Sequence, residues 1–214
     1  MSRKVKVVID GKELSVPAGE KILWSALEQD IYIPHLCGIQ EKDRPLGGCR
    51  LCFVEIEGEN KPVTSCTRGV ADGMVVHTRT PKVDRLVKTA FELLLSDHRL
   101  GCAQCPKNKN CALQRIAKER GLKLKQKRFS QIEREQSIDD TPQSFAYDPS
   151  RCVLCGRCVW KDRQVKGTGV LGFTGRSINR RVSTFMDLPM GESSCEECQE
   201  CVEVCPVGAL YFKE

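Results

Sequence analysis

The sequence predicts an α+β chain arranged around four groups of cysteines, and three observations carry that expectation. Residues 4–9 (KVKVVI) and 13–16 (ELSV) flank Asp10-Gly11 in the pattern of a β-hairpin. Residues 81–97 repeat apolar positions at helical spacing. The fourteen cysteines fall into tight clusters separated by ordinary sequence.

Taken in order, the chain to about residue 79 reads as a β-rich fold with one helix. Residues 20–29 predict that helix, and residues 52–57 (CFVEIE) alternate like a strand. Thr80 is placed to cap the next helix, and Pro81 suits its first position. Val83, Leu86, Val87, Ala90, Phe91 and Leu94 form its apolar face. A second helix around 110–120 stops at Gly121. Residues 122–140 are polar and charged, as a linker would be. Residues 141–214 read as loop-rich, with short helices around their cysteines, and contain two C-x-x-C-x-x-C runs, at 152–158 and 195–201. No long-period repeat is visible.

No stretch of eighteen apolar residues exists, so no membrane insertion is expected. The N-terminal MSRKVKVVIDGKEL has no apolar export region, which places the protein in the cytoplasm. In that reducing compartment, clustered cysteines bind metal rather than form disulfides. The formal charge of +6 is no nucleic-acid footprint. Fourteen ligating thiolates with four cluster cores of about +2 each would add roughly −6. The basic run Lys123, Lys125, Lys127 and Arg128 reads as a solvated linker or a partner-facing patch.

The first constellation is Cys37-x11-Cys49-x2-Cys52-x13-Cys66. Gly47 and Gly48 would let the backbone wrap closely around an inorganic cluster and aim N–H groups at its sulfurs. A zinc site usually uses two short cysteine knuckles, and only one is present, which favours a 2Fe–2S cluster. The second is His98-x3-Cys102-x2-Cys105-x5-Cys111. Three thiolates and an imidazole could hold a 4Fe–4S cluster. On spacing alone, a zinc site or a histidine satisfying helix C-terminal carbonyls fits as well.

The third and fourth constellations form a pair. Cys152, Cys155 and Cys158 make one run; Cys195, Cys198, Cys201 and Cys205-Pro206 make the other. In two-cluster ferredoxins the fourth cysteine of each run serves the other run's cluster. Cys205 therefore joins Cys152, Cys155 and Cys158 around one 4Fe–4S cluster. The residue four after Cys158, which should complete the set of Cys195, Cys198 and Cys201, is Asp162. Its carboxylate is either the fourth ligand of a 4Fe–4S cluster or a surface group between Lys161 and Arg163, with a 3Fe–4S cluster or an empty site as further readings. Gly167 to Gly172 matches G-x-G-x-x-G, but the preceding KDRQVK is no buried strand, so no dinucleotide site is expected. His35 and His77 read as local structural residues. No catalytic constellation is visible.

The stretches IPHLCGIQEKDRPLGGCRLCFVEIEG…TSC and ELLLSDHRLGCAQCPKNKNCALQ resemble the N-terminal part of the large iron–sulfur subunit of respiratory complex I. With the tail RCVLCGRC…CEECQECVEVCPVGAL, the chain is similar to the short homologue found in soluble NAD-reducing and electron-bifurcating hydrogenases. The resemblance implies a β-grasp 2Fe–2S ferredoxin domain (1–79), a helical domain with a one-histidine, three-cysteine 4Fe–4S cluster (80–121), a linker (122–140) and a two-cubane ferredoxin-like domain (141–214). It assigns Cys37, Cys49, Cys52 and Cys66 to the 2Fe–2S site and supports His98 as a ligand. In the hydrogenase relatives a cysteine stands where this chain has Asp162.

The implied role is electron relay between a flavin- and NAD(H)-binding subunit and hydrogenase subunits, with a thioredoxin-like 2Fe–2S subunit and ferredoxin as further partners. The same relay in an NAD-dependent formate dehydrogenase, a free ferredoxin-like carrier and a structural zinc module are the rivals.

Overall fold

The computed structural model describes residues 3–125, 128–132 and 137–213, so Lys127 and parts of the expected linker lie outside the described residues. The chain divides into two compact units, Met1–Phe91 and Glu92–Glu214.

The first unit is built on a hairpin of β1 (Lys4–Ile9) and β2 (Lys12–Pro17), paired antiparallel from Lys4↔Pro17 to Ile9↔Lys12. Asp10 and Gly11 turn it with φ of 48° and 81°, the double positive φ that a two-residue hairpin loop needs. Both Asp10 carboxylate oxygens accept hydrogen bonds from Thr78, at 2.7 Å from its amide and 2.5 Å from its hydroxyl. β3 (Phe53–Ile56), β4 (Val63–Thr64) and β5 (Met74–His77) complete a five-stranded sheet of order β2-β1-β5-β3-β4. β5 runs parallel to β1; the other pairs are antiparallel.

Alternation along β1 and β2 turns Val5, Val7, Ile9, Leu14 and Val16 inward. They share one core with Ile22, Leu23 and Ala26 of α1 (Ile22–Leu27) and with Val54 and Val76. Each such side chain, fully buried, contributes about 1.5–3 kcal/mol. The helix expected over 20–29 is shorter, and the chain turns at Asp30, which has φ of 61°. The segment from α1 to β3 has no helix or strand and carries three of the first four cysteines.

α2 (Pro81–Ser96) starts where the sequence places it, with Thr80 Oγ1 accepting a hydrogen bond from the Val83 amide at 3.1 Å. Its buried ridge is Val83, Val87, Ala90, Phe91 and Leu95; Leu94, expected on that face, is half-buried.

The second unit holds α3 (Ala112–Arg120), ended by left-handed Gly121. It also holds the antiparallel pair β6 (Phe145–Tyr147) and β9 (Leu210–Phe212). α4 (Arg157–Lys161) packs on α5 (Glu200–Glu203), and α5 on β9. In the chain between α4 and α5 comes the hairpin of β7 (Gly172–Thr174) and β8 (Arg181–Ser183). Among the described residues, no helix is long and apolar enough to cross a membrane.

Candidate metal centres

Cys37, Cys49, Cys52 and Cys66 are all buried and stand as two pairs. Cys37 Sγ lies 3.4 Å from Cys49 Sγ, and the Cys52 thiol is hydrogen-bonded to that of Cys66. The hydrogen bond from Cys37, reinforced by backbone amides, holds Cys49 down at about 6. Donating that hydrogen bond, together with burial, pushes the Cys37 thiol up. The Cys49 amide points at Cys37 Sγ from 3.5 Å. Gly47 answers a conformational need, with φ of 60°. A side chain on Gly48 would meet no protein atom within 4 Å. Two buried pairs suit two irons, each taking two terminal thiolates.

His98 is buried just past α2. Its Nδ1 lies 2.9 Å from the Arg151 carbonyl, which can only accept, so Nδ1 carries the proton and Nε2 keeps the free lone pair. Burial lowers its pKa and keeps the ring neutral, as ligation requires. Cys102 opens a 3₁₀ turn, Cys102–Gln104, and Cys111 stands at the N-cap of α3 with the Leu113 and Gln114 amides turned to its sulfur.

The two C-x-x-C-x-x-C runs share one backbone twist. Leu154 and Glu197, two residues after the first cysteine of each run, both have φ of 51°. Gly156 and Gln199, before α4 and α5, have φ of 73° and 65°. Three non-glycine residues therefore adopt an unfavourable left-handed conformation at matched places. At Glu197 the turn is held by the carboxylate, which accepts from the Gln143 and Ser144 amides at 2.8 and 2.9 Å. In the first run the Leu154 amide reaches Cys152 Sγ at 3.4 Å.

Burial pushes Cys152 and Cys155 up to about 12, and the charge of Cys205 adds to both and to Cys158. The charge of Cys205 thus reaches all three cysteines of the run 152–158, and that of Cys201 reaches Cys158 as well. Cys195, Cys198, Cys201 and Asp162 line one cavity. Asp162 starts a π-helical turn after α4, where such turns often mark functional sites. Its Oδ1 accepts from the Thr168 hydroxyl at 2.5 Å and its Oδ2 from the Leu171 amide at 2.9 Å. Lys161 pairs instead with Glu200, at 3.1 Å. Asp162 is half-buried, and its charge adds to burial in raising Cys195 and Cys201.

The chain matches three family descriptions in order: a 2Fe–2S iron–sulfur cluster binding domain over residues 2–81, an NADH-ubiquinone oxidoreductase-G iron–sulfur binding region over 88–124, and the ferredoxin-like domain of NADH-quinone oxidoreductase subunit 3 over 144–211. A solved chain of an NAD+-reducing [NiFe]-hydrogenase superposes with a TM-score of 0.86 at 30% identity, covering 98% of this chain and 87% of that one. The chain belongs to the G-type family of iron–sulfur subunits.

Among curated relatives, the NADPH-Fe(3+) oxidoreductase subunit alpha of Geobacter sulfurreducens is 37% identical, covering 98% of this chain and 24% of its own length. The NADP-reducing hydrogenase subunit HndD of Solidesulfovibrio fructosivorans is 35% identical, over 97% of this chain and 36% of its own. The mitochondrial NADH-ubiquinone oxidoreductase 78 kDa subunit of Neurospora crassa is 32% identical, over 98% and 28%. The chain thus spans about a quarter to a third of the length of these relatives.

The donor set of this G-type chain fits iron–sulfur clusters. Burial disfavours ionised sulfur at Cys152, Cys155 and Cys201 unless a cation is near, and iron would supply that charge. Among the described residues, no three His, Cys, Asp or Glu side chains converge tightly enough for a single ion. A side chain on Gly208 would run into Cys105 Sγ, so glycine keeps that corner open. Sequence reasoning missed Gly208 and the Thr168–Leu171 clamp. The one signal for the clamp was the G-x-G-x-x-G match: Gly167 and Gly169, with φ of 74° and 66°, curl the loop back onto Asp162. Helical turn, not strand, precedes that match, as the dinucleotide reading would not allow.

Proposed function

We propose that this chain relays electrons between a flavin- and NAD(H)-binding subunit and a hydrogenase module in a soluble cytoplasmic complex. A thioredoxin-like 2Fe–2S subunit and ferredoxin are its further partners. Cys37, Cys49, Cys52 and Cys66 hold a 2Fe–2S cluster. His98 through Nε2, with Cys102, Cys105 and Cys111, holds a 4Fe–4S cluster, and Cys152, Cys155, Cys158 and Cys205 hold another. Cys195, Cys198 and Cys201 hold the fourth, which we read as 4Fe–4S with the Asp162 carboxylate on its last iron. The divisions 1–79, 80–121 and 141–214 are the modules around these sites.

Clusters of this kind supply reversible one-electron chemistry. The chain's residues present thiolates from loops, hold His98 in its ligating tautomer and set Asp162 in the lining of the fourth cavity. The observation that carries the reading is the charge of Cys205 acting on all three cysteines of the other run, which fits the ligand exchange of a two-cluster ferredoxin. A hydrogenase as the far end is supported by the 87% coverage of the hydrogenase chain. The Geobacter and Solidesulfovibrio relatives favour a second reading, in which the nicotinamide is NADP(H).

Anaerobic purification of the native complex through a tag on this chain tests both. A flavoprotein and a hydrogenase that reduce NAD+ with H2 support the proposal, and preference for NADP+ selects the second reading. The chain emerging alone, without such activity, overturns both.

A further inference from the structure

Arg151 stands immediately before Cys152, and its backbone carbonyl receives His98 Nδ1. Its side chain is only 12% exposed and pairs with Asp148, itself 2% exposed, Nε to Oδ2 at 2.9 Å. That contact is not aligned as a hydrogen bond, and Nε and Nη1 have no hydrogen-bond partner. A buried guanidinium ordinarily spends its donors. The position a Gly208 side chain would take is 3.7 Å from Arg151 Cδ and Nη1, and it abuts Cys105 Sγ. With no side chain on Gly208, the cation faces the Cys105 corner of the His98 site, while its backbone leads into the Cys152 site. Asp148 is fixed in turn, its Oδ1 accepting from the Ser150 amide at 3.0 Å and from the Ser150 hydroxyl.

We infer that Arg151 is a positioning residue for electron relay, its carbonyl fixing the His98 tautomer and its buried guanidinium raising the potentials of the His98 and Cys152 clusters together. The inference rests on the ligand sets proposed above. Reduction adds negative charge to either site, which a nearby cation favours and a nearby anion disfavours. Substitutions of the two partners should therefore act in opposite directions, which loss of packing alone would not produce.

The test is a redox titration of the native complex followed by electron paramagnetic resonance. Arg151→Gln should lower the potentials of both clusters, shifting the reduction equilibrium about tenfold, or about 59 mV for one electron. Asp148→Asn should raise both. Arg151→Lys should stay close to the unsubstituted protein, and the 2Fe–2S signal should not move. Same-direction shifts, unmoved potentials or an equal shift of the 2Fe–2S signal would overturn the inference. So would loss of both clusters in all three variants, the behaviour of a residue needed only for folding. Absence of the two signals from the unsubstituted complex would instead overturn the ligand assignment.

Discussion

Asp162 shows how one side chain can be read two ways until its neighbours are known. In sequence it sits between Lys161 and Arg163, as many surface carboxylates do. In the fold, Lys161 turns to Glu200, and Asp162 lines a cavity with three cysteines, both oxygens held from the loop side. Asp162→Cys should convert the fourth site to four thiolates, lowering its potential and changing only its spectrum; an unchanged spectrum would place Asp162 outside the site. Gly208→Ala should displace Cys105 or strain the chain by about 1–3 kcal/mol, the usual cost of overpacking. Reduced iron occupancy of the His98 site, with the 2Fe–2S spectrum intact, is the expected measurement.

At the scale of elements, local rules carried far. Strand alternation, the Asp10-Gly11 turn, the Thr80 cap and the Gly121 stop were legible because each depends on residues within one or two turns of chain. Thr80→Ala should cost about 1 kcal/mol and lower the first melting transition by about 2–4 °C. What was illegible depended on packing. The buried ridge of α2 steps in fours through Val83, Val87, Phe91 and Leu95, drifting around the helix away from Leu94. Cysteine spacing suggests the donor groups that the proposal uses, since spacing is local. The Thr168–Leu171 clamp, Gly208 beside Cys105 and Arg151 beneath His98 depend on tertiary contacts that no spacing records. The shared twist of the two runs makes one more prediction: Cys205→Ala should abolish the cluster of Cys152, Cys155 and Cys158 while the 2Fe–2S signal persists. Loss of the 195–201 cluster instead would reverse the exchange.

For the whole molecule, the proposed relay allots its fourteen free cysteines to four donor sets, with none left over. That allocation explains why a chain of 214 residues has so much loop: loops bend thiols inward from several directions, and the short strands and helices anchor them. The most direct measurement is iron and acid-labile sulfide in this chain produced without its partners and purified anaerobically, with zinc measured alongside. Four occupied sites predict about 14 irons with matching sulfide, or about 13 if the Asp162 site holds three. Zinc without acid-labile sulfide would contradict the account.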